Sequence, residues 1–462
     1  MASRFQVPKG TRDILPAETA LWAAVENSAR AVFGRYGFRE IRTPIFEDTE
    51  LFLRGVGESS DIVGKEMYSF VDKGERHLTL RPENTASVVR AYVEHGMHRQ
   101  PQPVKLFYIG PQFRYERPQK GRYRQFHQIG AELLGGKGAE SDAEVLLMLV
   151  AFFRELGFRD LKVLLNTVGD GPSRAAYRET LLRFLELHRE KLGEESVRRM
   201  ATNPLRVLDS KSPQEQELLA DAPQLRDSLS EQSRAHFAAV CSALEHFDVA
   251  YEVSPRLVRG LDYYTNTVFE IVSEGLGSQN AICGGGAYEG LVEELGGPAT
   301  YGVGFAIGED RLLDVLPADS PARRAGLFLS VGPVVVTGSE KLPVKDADFS
   351  PIFGLVERLR RSGIPAVEGA GKQEKVHDRA VAMQSPAIIY VDDRGPGDGT
   401  CSVRILASGE RLQLDESELV TRLKGLFSFT GAFQNAPPAS STPANAATDL
   451  PEEMPYGHEV KS

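Results

Sequence analysis

Strand-like and helix-like segments come in blocks along this chain rather than in regular alternation. Strand-like runs include residues 104–110 (VKLFYIG) and the two arms of residues 113–132 (FRYERPQKGRYRQFHQIGAE). A charged helical stretch follows over 172–248, and strand-like runs return at 264–272 and 300–308. A doubly wound fold would place a helix after each strand, so this order favours a mostly antiparallel sheet with flanking helices. We therefore predict an α+β fold with a helical insertion.

The clearest helices carry their own start and stop signals. The first helix ends before Gly37, and its apolar face is formed by Leu21, Val25, Val32, Phe33 and Tyr36. We predict a second helix that begins at Ser141, with Glu144 completing a capping box. A third begins after Ser350, has proline at its first position and stops at Gly363.

Changes in composition divide the 462 residues into three parts. We predict a large domain over 1–325, with the helical insertion at about 172–248. A small α/β domain follows over 326–430. Residues 431–462 are rich in Ala, Pro, Ser and Thr, which predicts a disordered tail. A flexible extension without function is the simplest interpretation of this tail.

The composition is that of an ordinary globular protein and excludes several classes. The chain is 41% hydrophobic and 26% charged. No apolar run approaches the roughly 20 residues that span a bilayer, and the N-terminus lacks the apolar core of a signal peptide. Cys241, Cys283 and Cys401 are scattered without a C-x-x-C pair, which supports neither a disulfide framework nor a zinc site. We expect a cytoplasmic protein with no membrane partner.

The sequence lacks the motifs that bind nucleotides through backbone loops. GAGKQ at 369–373 has neither the leading glycine nor the Ser/Thr of a phosphate loop, and no glycine cluster has the G-x-G-x-x-G spacing. G-x-S-x-G and H-E-x-x-H are also missing, and the nine histidines show no metal-ligand spacing. A phosphorylated ligand would therefore be held by arginine side chains on a sheet.

Positive charge is concentrated at one hairpin of a chain whose net charge is −10. Five cations lie within eleven residues, opposed by Glu116 alone: Arg114, Arg117, Lys120, Arg122 and Arg124. In two antiparallel arms, one polar face would carry Arg114, Glu116, Arg124, Phe126, Gln128, Gly130 and Glu132. Arginine binds phosphate bidentately, phenylalanine can stack on a base, and carboxylates can hold an ammonium, an imidazole or a metal ion. A solvated edge hairpin with surface ion pairs is the alternative.

Three further features point to a ligand. Arg311 falls in the first turn of a predicted helix, where a cation opposes the helix dipole, although pairing with Glu309 or Asp310 would also explain it. Arg259 and two tyrosines precede a predicted strand. The glycine triplet 284–286 would let a ligand approach the backbone closely, and a tight turn explains it equally well.

Several motifs resemble those of a known enzyme family. F-R-x-E-R-P at 113–118 and G-V-G-F-A-I-G-E-D-R-L at 302–312 resemble motifs 2 and 3 of class II aminoacyl-tRNA synthetases. Within that class, the histidyl-tRNA synthetase family is resembled by GTRDILP (10–16), LRPENTA (80–86), NPLRVLDSK (203–211), RGLDYYTNTVFEI (259–271) and GGGAYEGL (284–291). The resemblance covers residues 5 to 315 closely and residues 326 to 428 more loosely.

The resemblance implies a two-step reaction in a homodimer that pairs through the motif 1 region, about residues 30–50. L-histidine would attack the α-phosphorus of ATP, with Mg²⁺ accompanying the nucleotide, and the activated histidine would pass to the 3′ end of tRNA(His). Residues 1–325 would be the catalytic domain and residues 326–430 an anticodon-binding domain. The family also accounts for the missing nucleophile, because this chemistry needs positioning and charge neutralisation.

Residue roles follow from the matching positions. The ATP-binding residues would be Arg114, Glu116, Arg122, Phe126 and Arg311. The histidine-binding residues would be Glu83, Thr85, Arg114, Gln128, Glu132, Arg259, Tyr263 and Tyr264. The catalytic residues would be Arg114 and Arg259. The residues that approach the tRNA acceptor end would be Gln119, Lys120 and Arg122. Arg117 and Arg124 receive no role, and no protein-bound metal is implied.

The chain departs from the family pattern at a few places, and two other functions remain open. Ala287 and Glu289 stand where the family usually has Arg and Asp, and the C-terminal domain differs at 341–350 and 391–400. One alternative is a histidine-sensing paralogue such as the regulatory subunit of ATP phosphoribosyltransferase, although such paralogues tend to lose the catalytic arginines. The other is an RNA-binding module, which would not need the imidazole-pocket residues.

Overall fold

The computed structural model describes residues 5–57, 62–117, 121–159, 161–202, 204–208, 210, 212–255, 257, 263–272, 281–338, 350–369, 372–391 and 401–427. The strands are β1 (Arg39–Glu40), β2 (Phe46–Asp48), β3 (Tyr68–Val71), β4 (His77–Leu80), β5 (Val104–Phe113), β6 (Gln125–Leu134), β7 (Lys162–Thr167), β8 (Tyr251–Val253), β9 (Tyr264–Val272), β10 (Ala281–Tyr288), β11 (Gly302–Gly308), β12 (Val334–Gly338), β13 (Ala366–Glu368), β14 (Ala387–Val391), β15 (Cys401–Ile405) and β16 (Arg411–Leu414).

The helices of the described residues are α1 (Pro16–Arg35), α2 (Thr49–Val56), α3 (Thr85–Glu94), α4 (Ala139–Glu155), α5 (Gly171–Leu187), α6 (Glu194–Thr202), α7 (Pro213–Leu219), α8 (Glu231–His246), α9 (Leu291–Glu294), α10 (Glu309–Val315), α11 (Pro321–Leu329), α12 (Pro351–Arg361), α13 (Gln373–Ala382) and α14 (Glu416–Phe427). Among the described residues, none of these helices is long and apolar enough to cross a membrane.

The large sheet has eight strands in the order β1-β5-β6-β11-β10-β9-β7-β8. Its inner pairs are all antiparallel, and its two edge pairs, β1 with β5 and β7 with β8, are parallel. A smaller antiparallel sheet, β2-β4-β3, lies in the same part of the chain. The predicted α+β class with a mostly antiparallel sheet is therefore confirmed.

Helix α1 packs on one face of the large sheet as its apolar spacing predicts. Val25, Val32 and Phe33 are fully buried, and Gly37 ends the helix with φ +81°. The Phe33 ring lies 5.6 Å from the ring of Phe107 and 5.4 Å from that of Phe152. Burying one such ring stabilises the fold by about 1.5–3 kcal/mol, so this face forms a core layer together with α4 and α8.

Helix α4 begins earlier than the sequence predicts. It starts at Ala139, because Gly138, with φ +60°, turns the chain there and its carbonyl already accepts hydrogen bonds from the N–H groups of Ser141 and Asp142. The Ser141 hydroxyl instead accepts a 2.8 Å hydrogen bond from the N–H of Lys137. The Glu144 carboxylate pairs with the Lys105 ammonium. The predicted capping box is wrong.

Between β7 and β8, the described residues form the α-helices α5 to α8 together with three short 3-10 helices. Asp170 caps α5 by accepting a 2.9 Å hydrogen bond from the N–H of Ser173. Tyr177, Leu181 and Leu185 of α5 form a separate apolar cluster with residues of α6 and α7. The helical character predicted for this stretch is thus present. The apolar residues of α5 to α7 pack on one another, whereas Val240 and Leu244 of α8 pack in the main core.

The C-terminal part forms a five-stranded sheet in the order β13-β12-β14-β15-β16. Helix α12 is capped as predicted, since the Ser350 hydroxyl accepts a 3.1 Å hydrogen bond from the N–H of Phe353, and Gly363 follows the helix with φ +83°. Leu355 and Leu359 of α12 are buried against this sheet. The predicted tail, 431–462, lies outside the described residues.

Candidate active site

The second predicted arm of the 113–132 hairpin forms β6 from Gln125 onwards, whereas β5 ends at Phe113, so the strand predicted for residues 114–116 is wrong. Gly110 pairs with Gln128 and Leu106 with Glu132. Ile129 and Leu133 of β6 face the core layer under α1 and α4, so the even-numbered residues between them face the other side of the sheet. The predicted alternation is confirmed along β6. Arg124, however, precedes the strand, and its guanidinium stacks 3.9 Å from the Tyr115 ring centroid.

A cavity of about 320 Å³ lies on this second face of the sheet. That volume falls within the range of small-molecule sites. Eleven of the predicted site residues line it: Glu83, Thr85, Arg114, Glu116, Arg122, Phe126, Gln128, Glu132, Tyr263, Tyr264 and Arg311. Arg117 and Arg124 are not among the described residues that line it. Arg259, Gln119 and Lys120 lie outside the described residues.

One half of the cavity is cationic. Arg114 is anchored by a 2.7 Å hydrogen bond from its Nε to the carbonyl of Pro82, and its guanidinium lies 5.3 Å from the Phe126 ring centroid. Glu116 sits between two cations, 3.1 Å from Nη1 of Arg122 and 3.9 Å from Nη1 of Arg114. These contacts hold two arginines and an aromatic ring together without neutralising them fully.

Arg311 projects into the same half from the first turn of α10. Its Nη1 donates a 2.8 Å hydrogen bond to the carbonyl of Ala281, and its Nε donates one of 3.3 Å to the carbonyl of Gly121. Burial lowers the pKa of Arg311, and the neighbouring charge of Arg122 lowers it further. The alternative that Arg311 pairs with Glu309 or Asp310 is wrong, because its guanidinium bonds backbone carbonyls instead.

The other half is built around a buried carboxyl group. Glu132 accepts a 2.7 Å hydrogen bond from Oγ1 of Thr85 at one oxygen and a 2.7 Å bond from the Tyr288 hydroxyl at the other. Burial raises the pKa of Glu132 to about 8, although both hydrogen bonds favour the charged form. Below that pH the group is a neutral acid that can donate as well as accept.

Two further polar groups open towards this half. Glu83 accepts hydrogen bonds from the N–H groups of Thr85 (2.6 Å) and Ala86 (3.0 Å), which fixes its carboxyl group at the start of α3. Burial raises the pKa of Glu83 despite these bonds. The amide oxygen of Gln128 is buried and has no hydrogen-bond partner among the residues that the structure describes. An unsatisfied acceptor of this kind suits an ammonium donor.

Three tyrosines close the pocket. The ring of Tyr263 lies 4.8 Å from that of Tyr264 and 5.6 Å from that of Tyr288. Tyr288 is not among the predicted site residues, and the tight turn considered for 284–286 is wrong, because these glycines lie in the middle of β10. The period of two along that strand, which relates Gly284, Gly286 and Tyr288, was the signal that could have identified Tyr288.

The described residues offer no ready-made metal centre. No group of three or more His, Cys, Asp or Glu side chains among them is arranged to hold a metal ion. The three cysteines are free. The carboxylates of Glu116 and Glu270 nevertheless line the cavity, and one or two carboxylates together with substrate phosphates are a common way to bind Mg²⁺.

Comparison with known proteins identifies the family. The family model for histidyl-tRNA synthetase matches residues 10–312, a span that holds the whole cavity. The chain belongs to the histidyl-tRNA synthetase family. The crystal structure of apo S. aureus histidyl-tRNA synthetase is similar over 91% of this chain and 100% of that chain, with 34% identity and a TM-score of 0.74.

Two more distant structures share the fold. A histidyl-tRNA synthetase from a Nostoc species is 20% identical over 92% of this chain and 100% of that chain, with a TM-score of 0.65. A Bacillus halodurans protein described as an ATP phosphoribosyltransferase regulatory subunit/histidyl-tRNA synthetase is 21% identical over 85% of this chain and 99% of that chain, with a TM-score of 0.60. At such identities the likeness shows the fold alone.

Family and structure together support histidine–tRNA ligase activity. The chain is thus an enzyme, an aminoacyl-tRNA ligase of class II, and enzymes of this family use ATP, generally with Mg²⁺. The histidine-sensing paralogue and the RNA-binding module are both less favoured, since the family match is to the synthetase and extends through the arginine-lined half of the cavity.

Proposed function

We propose that the cavity binds ATP in its cationic half and histidine in its acidic half, and that it joins them as histidyl-adenylate. One observation supports this most directly. Arg114 and Arg311 line the same cavity as the buried Glu132 carboxyl group, which is held by Thr85 and Tyr288. A polyphosphate needs the first environment and a neutral imidazole side chain suits the second.

ATP is proposed to lie across the hairpin with its adenine on Phe126. The guanidinium of Arg114 already packs against this ring, and it would bind the α-phosphate of ATP. Glu116 would orient the nucleotide, Arg122 would approach the phosphates, and Arg311 would hold the γ-phosphate end. Mg²⁺ bound with ATP would neutralise the polyphosphate and the departing pyrophosphate.

Histidine is proposed to place its imidazole against Glu132 and Tyr264, with Tyr263 beside them. The α-ammonium would reach the open amide oxygen of Gln128 together with Glu83 and Thr85. A site whose buried polar groups need the imidazole for their hydrogen bonds rejects other side chains strongly, because those groups would be left unpaired.

The reaction proposed for this arrangement needs no protein nucleophile. The histidine carboxylate attacks the α-phosphorus, the bond to the bridging oxygen breaks, and pyrophosphate leaves. A hydroxyl of the terminal tRNA ribose then attacks the acyl carbon and releases AMP. Arg114 would stabilise the charge that develops on the α-phosphate. Arg259 is proposed to contact the histidine carboxylate and the same phosphate.

Contacts with tRNA are proposed at two places. The turn of the hairpin, with Gln119, Lys120 and Arg122, would approach the acceptor end. Residues 326–430 would contact the anticodon as a separate domain. Their five-stranded sheet with helices α12 to α14 has its own buried core, which is what an independent domain requires.

The chain is proposed to work as a homodimer. Support comes from an exposed apolar patch on the small sheet, formed by Ile45 (45% exposed), Phe46 (52%), Phe70 (42%) and Val71 (56%). The rings of Phe46 and Phe70 lie 6.3 Å apart, so the two largest members of the patch are close neighbours. Contiguous exposed apolar surface marks interaction sites, and this patch adjoins the motif 1 region at about residues 30–50.

Histidine-dependent exchange of pyrophosphate into ATP tests the proposed site. The wild-type protein should catalyse exchange with histidine and not with other amino acids, and Arg311→Gln should raise the KM for ATP. Absence of exchange in the purified protein would refute the assignment of the cavity. Sedimentation analysis of Phe46→Asp tests the dimer separately, and a wild-type monomer would refute that part.

A further inference from the structure

Arg12 lies at the meeting point of three segments around the cavity, although it does not line the cavity as the described residues define it. Its Nη1 donates a 2.6 Å hydrogen bond to Glu18 of α1, and its Nη2 donates one of 3.3 Å to Asp310 of α10. Its guanidinium carbon lies 5.2 Å from the ring centroid of Tyr123 and 5.7 Å from that of Trp22. One side chain therefore touches α1, the hairpin and α10.

Asp310 extends this contact into the sheet. The Asp310 side chain is 6% exposed, and its second oxygen accepts a 3.0 Å hydrogen bond from the backbone N–H of His127 in β6. The next residue along α10 is Arg311. The Asp310 carboxylate, which Arg12 contacts on the side away from the cavity, thus sets the orientation of Arg311 relative to β6.

The same N-terminal segment also contacts Tyr123 and Arg124, the residues just before β6, which we call the hairpin foot. The carbonyl of Gly10 accepts a 2.7 Å hydrogen bond from the N–H of Arg124, and Tyr123, which packs on Arg12, lines the cavity. Arg311 itself bonds the carbonyl of Gly121. The two walls of the cationic half therefore have a direct link inside the cavity and a second link through Arg12 outside it.

The contact between Arg12 and Asp310 opposes a repulsion between cations in the cavity. Burial lowers the pKa of Arg311, and the charges of Arg122 and Arg114 lower it further, so these two cations repel Arg311, with Glu116 offsetting part of the repulsion. Asp310 and its hydrogen bonds restrain α10 against that repulsion. Arginine suits the position because its planar fork can bond two carboxylates in a fixed geometry while its flat faces stack on aromatic rings, whereas a lysine ammonium is a compact point charge without such faces.

We propose that Arg12 is a positioning residue for ATP, which holds α10 and the hairpin foot at the separation that the triphosphate requires. The proposal rests on the assignment of Arg311 to ATP made above. Arg12 acts on the ATP half alone, because its contacts reach Tyr123, Asp310 and His127, whereas Thr85 and Tyr288 hold Glu132 in the histidine half independently.

The test compares Arg12→Met and Arg12→Lys with the wild type in histidine-dependent ATP–pyrophosphate exchange. We expect Arg12→Met to raise the KM for ATP about tenfold and to leave the KM for histidine within about twofold, and Arg12→Lys to fall between. Arg154→Met is the matched control, since this exposed arginine of α4 bonds the distant carbonyl of Asp248 and should leave both KM values unchanged.

Two further measurements separate positioning from simple stability. Asp310→Asn should raise the KM for ATP as Arg12→Met does, and the double variant should be no worse than the worse single variant. ATP binding by calorimetry gives the same comparison for any variant that is too slow to assay. Unchanged ATP affinity in folded Arg12→Met and Arg12→Lys would overturn the proposal. If Arg311→Gln also leaves ATP affinity unchanged, the ATP assignment falls with it, whereas an effect of Arg311→Gln alone refutes only the role of Arg12.

Discussion

Tyr288 of β10 donates a 2.7 Å hydrogen bond to the Glu132 carboxyl group of β6, across the intervening strand β11. The contact is possible because Gly304 of β11 pairs with Glu132 on one side and with Gly286 on the other. A side chain at that position would fill the space between the two strands. Gly304, which has no side chain to contribute to the site, therefore determines whether the histidine half of the cavity can form.

Gly304→Ala should disable the histidine half. A Cβ on Gly304 would overlap the Glu132 carboxyl group and contact the carbonyl of Ala131 at 2.6 Å. Displacing Glu132 would leave buried polar groups unpaired, at about 1–3 kcal/mol for each group, so the KM for histidine should rise by roughly 5- to 150-fold. Gly34→Ala is the control, because a Cβ there meets nothing within 4 Å. An unchanged KM for histidine in Gly304→Ala would contradict this prediction.

The pH dependence of histidine use should depend on Glu132. Its pKa is raised to about 8 by burial, and a free imidazole titrates near about 6.5. If the carboxyl group and the imidazole share one proton, kcat/KM for histidine should be highest between these two values and fall on either side. Below about pH 6.5 both groups are protonated, and above about pH 8 neither is.

Glu132→Gln tests this directly, because its amide does not titrate. The variant should lose the fall near pH 8 that Glu132 causes and should have a lower kcat/KM throughout. Any fall that comes from the α-ammonium group of histidine is common to both proteins and cancels in their ratio. The ratio of kcat/KM for the two proteins should be compared between about pH 6 and about pH 9, a range that spans both titrations. A constant ratio would show that Glu132 does not share the proton.

Phe126→Ala should weaken ATP binding selectively. Stacking of a base on an aromatic ring is worth about 1–3 kcal/mol, so the KM for ATP should rise by roughly 5- to 150-fold while the KM for histidine stays nearly constant. The truncation also removes the ring on which Arg114 stacks at 5.3 Å. Phe126→Tyr, which keeps the ring, is therefore the matched control. Equal losses in both variants would argue against stacking as the cause.

Local patterns in the sequence predicted what local geometry controls. The alternation along β6 identified Phe126, Gln128 and Glu132 as neighbours on one face, because side chains of a strand alternate wherever it pairs. The α1 face was likewise readable from its helical period. Ser141 was misread, since the backbone turn at Gly138 starts the helix before a side-chain cap is needed.

Contacts between distant segments were beyond such patterns. Arg12 and Asp310 are separated by 298 positions, and no local rule relates them. Tyr288 reaches Glu132 because β10 and β6 flank β11, which depends on the order of strands in the finished sheet. The glycines of β10 were ambiguous for the same reason, because a glycine run suits a turn in isolation and a close strand crossing only when its neighbours are known.

Because of the buried carboxyl group of Glu309, the free energy of unfolding should fall as the pH rises. It is fully buried, and neither carboxylate oxygen has a hydrogen-bond partner among the residues that the structure describes. Burial raises its pKa well above the usual range, and the charges of Glu26 and Asp310 raise it further. An acid whose pKa is raised by folding stabilises the fold below its unfolded pKa, about 4.3, and loses that contribution as the pH rises through its folded pKa.

Glu309→Gln removes this titration. At about pH 8–9, several units above the unfolded pKa of a glutamate, the variant should therefore melt at a higher temperature than the wild type. The gap should narrow towards pH 5, since each pH unit in the window is worth at most about 1.4 kcal/mol. Thermal melts across this range measure the difference. Asp314→Asn, at another carboxylate of α10, should show no such widening gap. Melting temperatures of Glu309→Gln and the wild type that stay parallel would mean that Glu309 is ionised in the folded protein and has found a cationic partner.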